Sequence, residues 1–262
     1  VSSCGEAAVS GVSLVNQFNT IFIYLFTALA SGGAIVVSQY IGNKDEKRTI
    51  LSSSQLLMFS IVFSIILSIL VLIFNKQLLG LLFGKVESDV MKACVTYLRI
   101  SAYSYPALAI YNAGAALYRS MAKTKVTMYI SFAANIINVV GNIIGVYVLK
   151  AGVAGVAYPS LISRVFSAII ITVLCFNKKL EAYYDSKFDG KMLKRILNIA
   201  IPNGVENGIF QLVKVALSSI VAMFGTYQIA ANGVAQSIWS LAALVGSAMG
   251  PVFITVIGQC MG

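Results

Sequence analysis

Charge is scarce in this sequence, and histidine is missing altogether. Only 11% of the 262 residues are Asp, Glu, Lys or Arg, where a soluble domain carries roughly a quarter. The shortage comes in blocks. No charged side chain lies between Glu6 and Lys44, between Arg48 and Lys76, between Lys125 and Lys150, or after Lys214. Each block is long enough to cross a hydrocarbon core of about 30 Å, which takes about 20 apolar residues. They are too long and unbroken for barrel strands, and backbone polar groups in lipid must be satisfied internally, so the spans are expected to be helices. Histidine-based catalysis is excluded, and no Walker motif or nucleophile elbow is present, so no enzyme activity is expected. The four cysteines, Cys4, Cys94, Cys175 and Cys260, show no CxxC spacing, which argues against a metal site and leaves them as packing residues.

What fills the space is apolar: 58% of residues are hydrophobic and the mean hydropathy is +0.86. The fold class expected is an all-α integral membrane protein. Seven transmembrane spans are read at about 11–41, 51–74, 93–120, 126–148, 153–176, 194–224 and 227–261. The net charge of +10 does not indicate nucleic acid, because the basic residues sit in short segments between spans rather than in one stripe. Lys44, Lys47 and Arg48, then Arg119, Lys123 and Lys125, then Lys178, Lys179, Lys187, Lys191, Lys194 and Arg195 fall on one side. The opposite side carries only Lys76, Lys85, Lys92, Arg99 and Lys150. The positive-inside rule makes the first side cytoplasmic and starts the chain outside. All four prolines, Pro106, Pro159, Pro202 and Pro251, fall inside spans, where they kink helices or serve as hinges.

An internal repeat links the first and last spans. Ser38-Gln39-Tyr40-Ile41-Gly42 faces Gly258-Gln259-Cys260-Met261-Gly262, and Ala8-Val9-Ser10-Gly11-Val12 faces Ala230-Ala231-Asn232-Gly233-Val234. Six spans separate equivalent points, an even number, so both copies run the same way through the bilayer. That is a parallel repeat of six-helix halves. The chain opens on Val1 and stops at Gly262, at the end of an apolar helix, and further chain is expected on both sides.

Polar residues inside the spans gather on faces. Ser131, Asn135, Asn138 and Asn142 recur at intervals of four, three and four, which is one side of a helix. Such amides serve either as interhelical hydrogen bonds or as a cavity lining. In the sixth span Asn203, Asn207, Gln211, Lys214 and Ser218 share a face, with Glu206 beside it. Glu206 and Lys214 are about 12 Å apart along the helix and cannot pair within it; either one is a candidate for cation or proton coupling, since ionisable groups at membrane depth face water or a partner. Glu206 also stands only eleven positions after Arg195, near the interface. Arg164 lies midway along the fifth span, as a cavity group or as an anchor on backbone carbonyls. Asn16, Asn19, Thr20, Tyr24 and Thr27 form a third face, and the three together are expected to enclose one central cavity.

These residues resemble the multidrug and toxic compound extrusion (MATE) family. Ser38 to Asp45 is similar to its "SQ-x-x-GA" helix end and charged loop. Pro106 with Arg119 to Lys125 resembles its "R-x-x-G-D-x-K" turn, with Ala122 and Lys123 in place of Gly and Asp. Asn135 to Asn142, Gly152 to Ala157, Ser163-Arg164, Ile201-Pro202, Phe224-Gly225 and Ile229 to Ala231 follow in the family's order. The resemblance implies helices two to eight of a twelve-helix, two-lobe transporter: residues 1–176 as amino-terminal lobe, 177–191 as cytoplasmic linker, 192–262 as the start of the carboxy-terminal lobe. It implies export of cationic or amphipathic compounds in exchange for protons or sodium, without cofactor, across the bacterial cytoplasmic membrane. The expected partners are drug-like small molecules, membrane lipid and the second lobe of the same chain. Asn138, Asn142 and Ser160 fall at family cavity positions, where Asn142 replaces an ionisable Asp, and Asn112 is a further candidate. Lys214 stands about where other branches carry a glutamate. A lipid-linked sugar or polysaccharide flippase is the alternative, favoured by Arg164 and Lys214; a seven-helix receptor is a more distant one.

Overall fold

The computed structural model describes residues 6–83, 88–176, 188–222 and 226–262, with parts of 6–17, 81–88 and 212–247 given by backbone alone. Among these residues every element is helical. The order is α1 Glu6–Gly42, α2 Glu46–Phe83, α3 Ser88–Tyr103, α4 Tyr105–Ser120, α5 Thr124–Ile143 continued by a π-helical turn Ile144–Val148, α6 Ala154–Cys175, α7 Gly190–Ala222 and α8 Thr226–Met261. Five stretches are long and apolar enough to cross a membrane: Phe18–Gly42, Glu46–Gly80, Thr124–Val148, Ala154–Cys175 and Ala242–Met261. The two other expected spans differ in kind. Residues 93–120 are split between α3 and α4, each of 16 residues, and α7 is interrupted by polar residues along Asn203, Glu206, Asn207, Gln211 and Lys214.

The split is a consequence of Pro106. Having no N–H, Pro106 cannot bond the carbonyl four residues back, and that carbonyl, on Ala102, instead accepts a hydrogen bond from Ser68 Oγ of α2 at 2.7 Å. A hydroxyl from a neighbouring helix thus satisfies the group that proline frees, as lipid requires. Pro106 therefore opens α4 rather than kinking a continuous helix, whereas Pro159, Pro202 and Pro251 lie inside α6, α7 and α8.

Helix α1 is the organising element and packs on α2, α3, α4, α7 and α8. Phe26, Leu79, Cys94, Leu98 and Tyr105 are buried together on one part of it. Leu29, Val36, Val37, Leu56, Leu117, Ile196 and Ala200 form a second core toward its other end. The opposite side of α2 turns Val62, Ile65, Ile66, Ile69 and Ile73 outward, a surface that only lipid or other protein accommodates without loss.

The two copies of the repeated motif meet. A side chain added at Gly42 would strike the Gln259 carbonyl, one at Gly262 would strike the Gln39 carbonyl, and one at Gly258 would strike Ser38 Oγ. Gln39 and Gln259 hold the same place in the repeat, as do Gly42 and Gly262, so the contact is reciprocal, as about a local two-fold axis. Small residues permit this approach. Ser38 Oγ donates to Ala34 O at 2.8 Å and to Ile254 O at 3.3 Å, again equivalent positions. The earlier pairing at Ala8 to Val12 and Ala230 to Val234 rests largely on side chains outside the described residues.

Charged groups close the end assigned to the cytoplasm. Arg195, in the first turns of α7, donates to Tyr40 Oη at 2.7 Å and to Gln39 Oε1 at 3.0 Å. Asp189 caps the same helix through Oδ1, accepting from the backbone N–H groups of Lys191 and Met192, as N-terminal carboxylates do. The linker read at 177–191 is largely outside the described residues, and its last residues already belong to α7.

Candidate functional site

The α5 polar stripe and a matching stripe on α6 face one another across a cavity of about 300 Å³. Its walls come from α4 (Leu108, Tyr111), α5 (Ser131, Ala134, Asn135, Asn138) and α6 (Ser160, Ser163, Arg164, Ser167). The site exists because α5 and α6 are pinned together below it: Gly145 and Gly155 each stand so close to the other's carbonyl that neither could carry a Cβ.

The amides are tied into a relay. Asn142 Nδ2 donates to Asn138 Oδ1 at 3.0 Å, and Asn138 Nδ2 donates to Ser160 Oγ at 3.1 Å. Tyr111 Oη and Ser131 Oγ share a short hydrogen bond across α4 and α5. Arg164 Nη1 donates to Ser104 Oγ at 2.7 Å, at the α3–α4 break. Ser104 Oγ in turn donates to Ser101 O at 2.6 Å, which leaves the hydroxyl's lone pairs for the guanidinium. Asn142 Oδ1 and Asn112 Nδ2 are buried without a hydrogen-bond partner among the described residues.

The sequence-derived residues therefore separate into two groups. Asn135, Asn138 and Ser160 line the cavity, Asn142 reaches it through Asn138, and Asn112 is not among its walls. Glu206, Gln211 and Lys214 lie elsewhere, on α7, which packs against α1 and α2 while α5 packs against α6 and α4. Among the described residues the three polar faces do not enclose one cavity. Part of the α1 face is instead tied to α3 and α4, where Tyr97 Oη donates to the exposed Asn16 Oδ1 at 3.0 Å and Tyr105 Oη to the buried Asn19 Oδ1 at 2.7 Å. On α7, Asn207 Nδ2 bonds Asn203 within the helix. Lys214 Nζ stands 4.8 Å from the Phe210 ring centre and 4.6 Å from that of Trp239 on α8. Glu206 is exposed and forms no ion pair with a described residue. The Ser218 side chain lies outside the described residues.

Sequence reasoning missed Ser163, Ser167 and Tyr111 as cavity walls. The signal was available on α6, where Ser160, Ser163 and Ser167 recur at intervals of three and four beside Arg164, the same helical spacing that marks α5.

Comparison with known proteins gives this geometry a family. The uncharacterized transporter YisQ of Bacillus subtilis (strain 168) is 24% identical over 270 residues, covering 100% of this chain and 59% of that protein. The probable multidrug resistance protein YoeA of the same organism is 24% identical over 269 residues, covering 97% of this chain and 57% of YoeA. The chain thus spans less than three-fifths of the length of either relative. A solved structure described as the outward-facing conformation of a multidrug resistance MATE family transporter of the MOP superfamily superposes on all of the chain and 56% of its own, with a TM-score of 0.84 at 20% identity. The same fold, an all-helical multi-pass membrane bundle, is therefore established for this chain. The MatE family model matches residues 1–144, more than half of the chain. The chain belongs to the MatE family.

Proposed function

We propose that this chain is part of a secondary active exporter of amphipathic small molecules, cations among them, that works by alternating access between two six-helix lobes. The observation that carries the reading is the polar cavity between α4, α5 and α6, built at membrane depth from amides and hydroxyls that an inert bundle has no reason to collect. In this reading residues 1–176 belong to the amino-terminal lobe, 177–191 to the linker and 192–262 to the second lobe. The reciprocal crossing of α1 and α8 is then where the lobes bear on one another. The names of YoeA and of the outward-facing transporter, both associated with multidrug resistance, support export over the lipid-linked sugar flippase, which nothing in these similarities favours.

The coupling ion is a proton or sodium. Asn142 cannot ionise, so the α5 position offers no titrating carboxylate. Glu206, the one acidic residue of α7, is the candidate to carry the coupling. Ethidium efflux from cells expressing the full-length gene tests the reading, with proton and sodium gradients collapsed separately. Efflux lost on collapse of one gradient is the expected result and names the ion. Absence of gradient-dependent efflux from a correctly inserted protein overturns the proposal.

A further inference from the structure

Among the described residues Arg164 is the one charge in the wall of the α4–α6 cavity. It stands ten residues after Ala154 and eleven before Cys175 in α6, so it is about 15 Å along the axis from either end of its helix. Among the described residues no carboxylate pairs with it. No Asp or Glu occurs between Asp89 and Glu181, and Asp89 is paired with Lys92 at the far end of α3. The groups that Arg164 feels are the phenols of Tyr97 and Tyr105, and one of its nitrogens is held by Ser104. A guanidinium has five N–H donors in a rigid fork. With one nitrogen anchored, the fork is oriented at small cost in side-chain freedom. Around it the cavity supplies the amide of Asn135, whose N–H groups can donate to oxygen, while the hydroxyls of Ser160 and Ser163 already donate to the Val156 and Ser160 carbonyls and that of Tyr111 is paired with Ser131.

We infer that this cavity receives the carboxylate, or an equivalent oxyanion, of an amphipathic small molecule, with Arg164 as the charge that binds it. Planar two-oxygen anions match the guanidinium fork and make shorter, stronger hydrogen bonds than neutral acceptors do. A cavity of about 300 Å³ stands at the small end of the range for drug-sized ligands. The apolar part of the ligand would lie against Leu108 and Ala134. The inference rests on the reading of this cavity as the exporter's substrate site, and it adds organic anions and zwitterions to the cations in the substrate class.

The test is binding of two dyes to the purified full-length protein in detergent, carboxyfluorescein as the anion and ethidium as the cation, with Arg164→Gln, Arg164→Lys and, as control, the exposed Arg99→Gln. The expected result is that Arg164→Gln weakens carboxyfluorescein by at least about tenfold and leaves ethidium unchanged or tighter. Arg164→Lys, which keeps the charge but loses the fork, should fall between, and Arg99→Gln should match the parent. Equal weakening of both dyes means that Arg164 only holds the helices, and overturns the inference. Unchanged carboxyfluorescein binding in Arg164→Gln means that another part of the protein or an inorganic anion meets the charge, and overturns it equally. If Arg164→Gln does not fold, the Arg164→Lys comparison carries the test. Binding of this kind needs no gradient. Arg164-dependent binding without any efflux would sink the exporter reading alone, and gradient-driven ethidium efflux without carboxyfluorescein binding would sink this one alone.

Discussion

Two polar stripes of similar composition have different fates in this molecule. The α5 stripe faces a second stripe on α6 and closes a cavity with it, tied by hydrogen bonds between helices. The α7 stripe bonds within its own helix at Asn203 and Asn207 and offers Glu206 to the surroundings. Asparagines at helical spacing mark both, so periodicity identifies a polar face but not what covers it. The covering depends on how closely two backbones approach. Gly145 and Gly155 bring α5 and α6 into backbone contact, while Gly208 on α7 has no described residue within reach of a Cβ.

Alanine at these glycines is the strongest way to break the comparison, because the two sites predict opposite signs. Gly155→Ala drives a methyl into the Gly145 carbonyl and should destabilise by about 2 kcal/mol, as overpacked sites do. Gly208→Ala should stabilise by about 0.5–1 kcal/mol through helix propensity. Thermal unfolding of the full-length protein in detergent measures both. Equal shifts of the same sign would mean that α5 and α6 are not held by this contact.

A smaller effect is expected at the turn that joins α4 to α5. Ala122 sits at φ 59°, in the left-handed region that costs L-residues roughly 1–2 kcal/mol. This is the position where the family turn carries glycine. Ala122→Gly should therefore gain about 1 kcal/mol, read in the same unfolding assay, and no gain would place the strain elsewhere in the turn.

Much of this was legible in the sequence and some was not, for identifiable reasons. Charge-free blocks gave the helices, and the α5 spacing gave its face, because both are local properties. The break at Ser104 was hidden, since Pro106 inside an apolar stretch reads as a kink until Ser68 is known to take the Ala102 carbonyl. The α1 face was misread for a related reason. Asn16 and Asn19 look like a cavity lining, but Tyr97 and Tyr105 count as apolar in a hydropathy reading and arrive with hydroxyls that satisfy them. The hook from Arg164 to Ser104 spans 60 residues, and no local pattern announces it.

The relay itself can be weighed. Asn138 and Ser160, joined across helices, should show a coupling of about 0.6 kcal/mol in a double-mutant cycle to alanine, the average for such bonds in membranes. Asn203 and Asn207, one turn apart on α7, should couple by no more than about 0.2–0.5 kcal/mol. Stronger coupling on α7 than between α5 and α6 would reverse the ranking of the two stripes.

A further effect of the same order concerns a charge deeper in α7. Lys214 is held between the rings of Phe210 and Trp239, a cation–π contact worth about 0.5–1 kcal/mol where water has access. Lys214→Met keeps the aliphatic length and removes the cation, so stability should drop by about that amount. Trp239 is the only tryptophan in the chain, and with any other tryptophans of the full-length protein replaced, its fluorescence reports this site alone. Removing a positive charge beside the indole should shift that emission in Lys214→Met and leave it untouched in Arg164→Gln. A Trp239 signal that responds to Arg164→Gln would mean that the enclosed cavity and the α7 face communicate, and the two stripes would then have to be treated as one site.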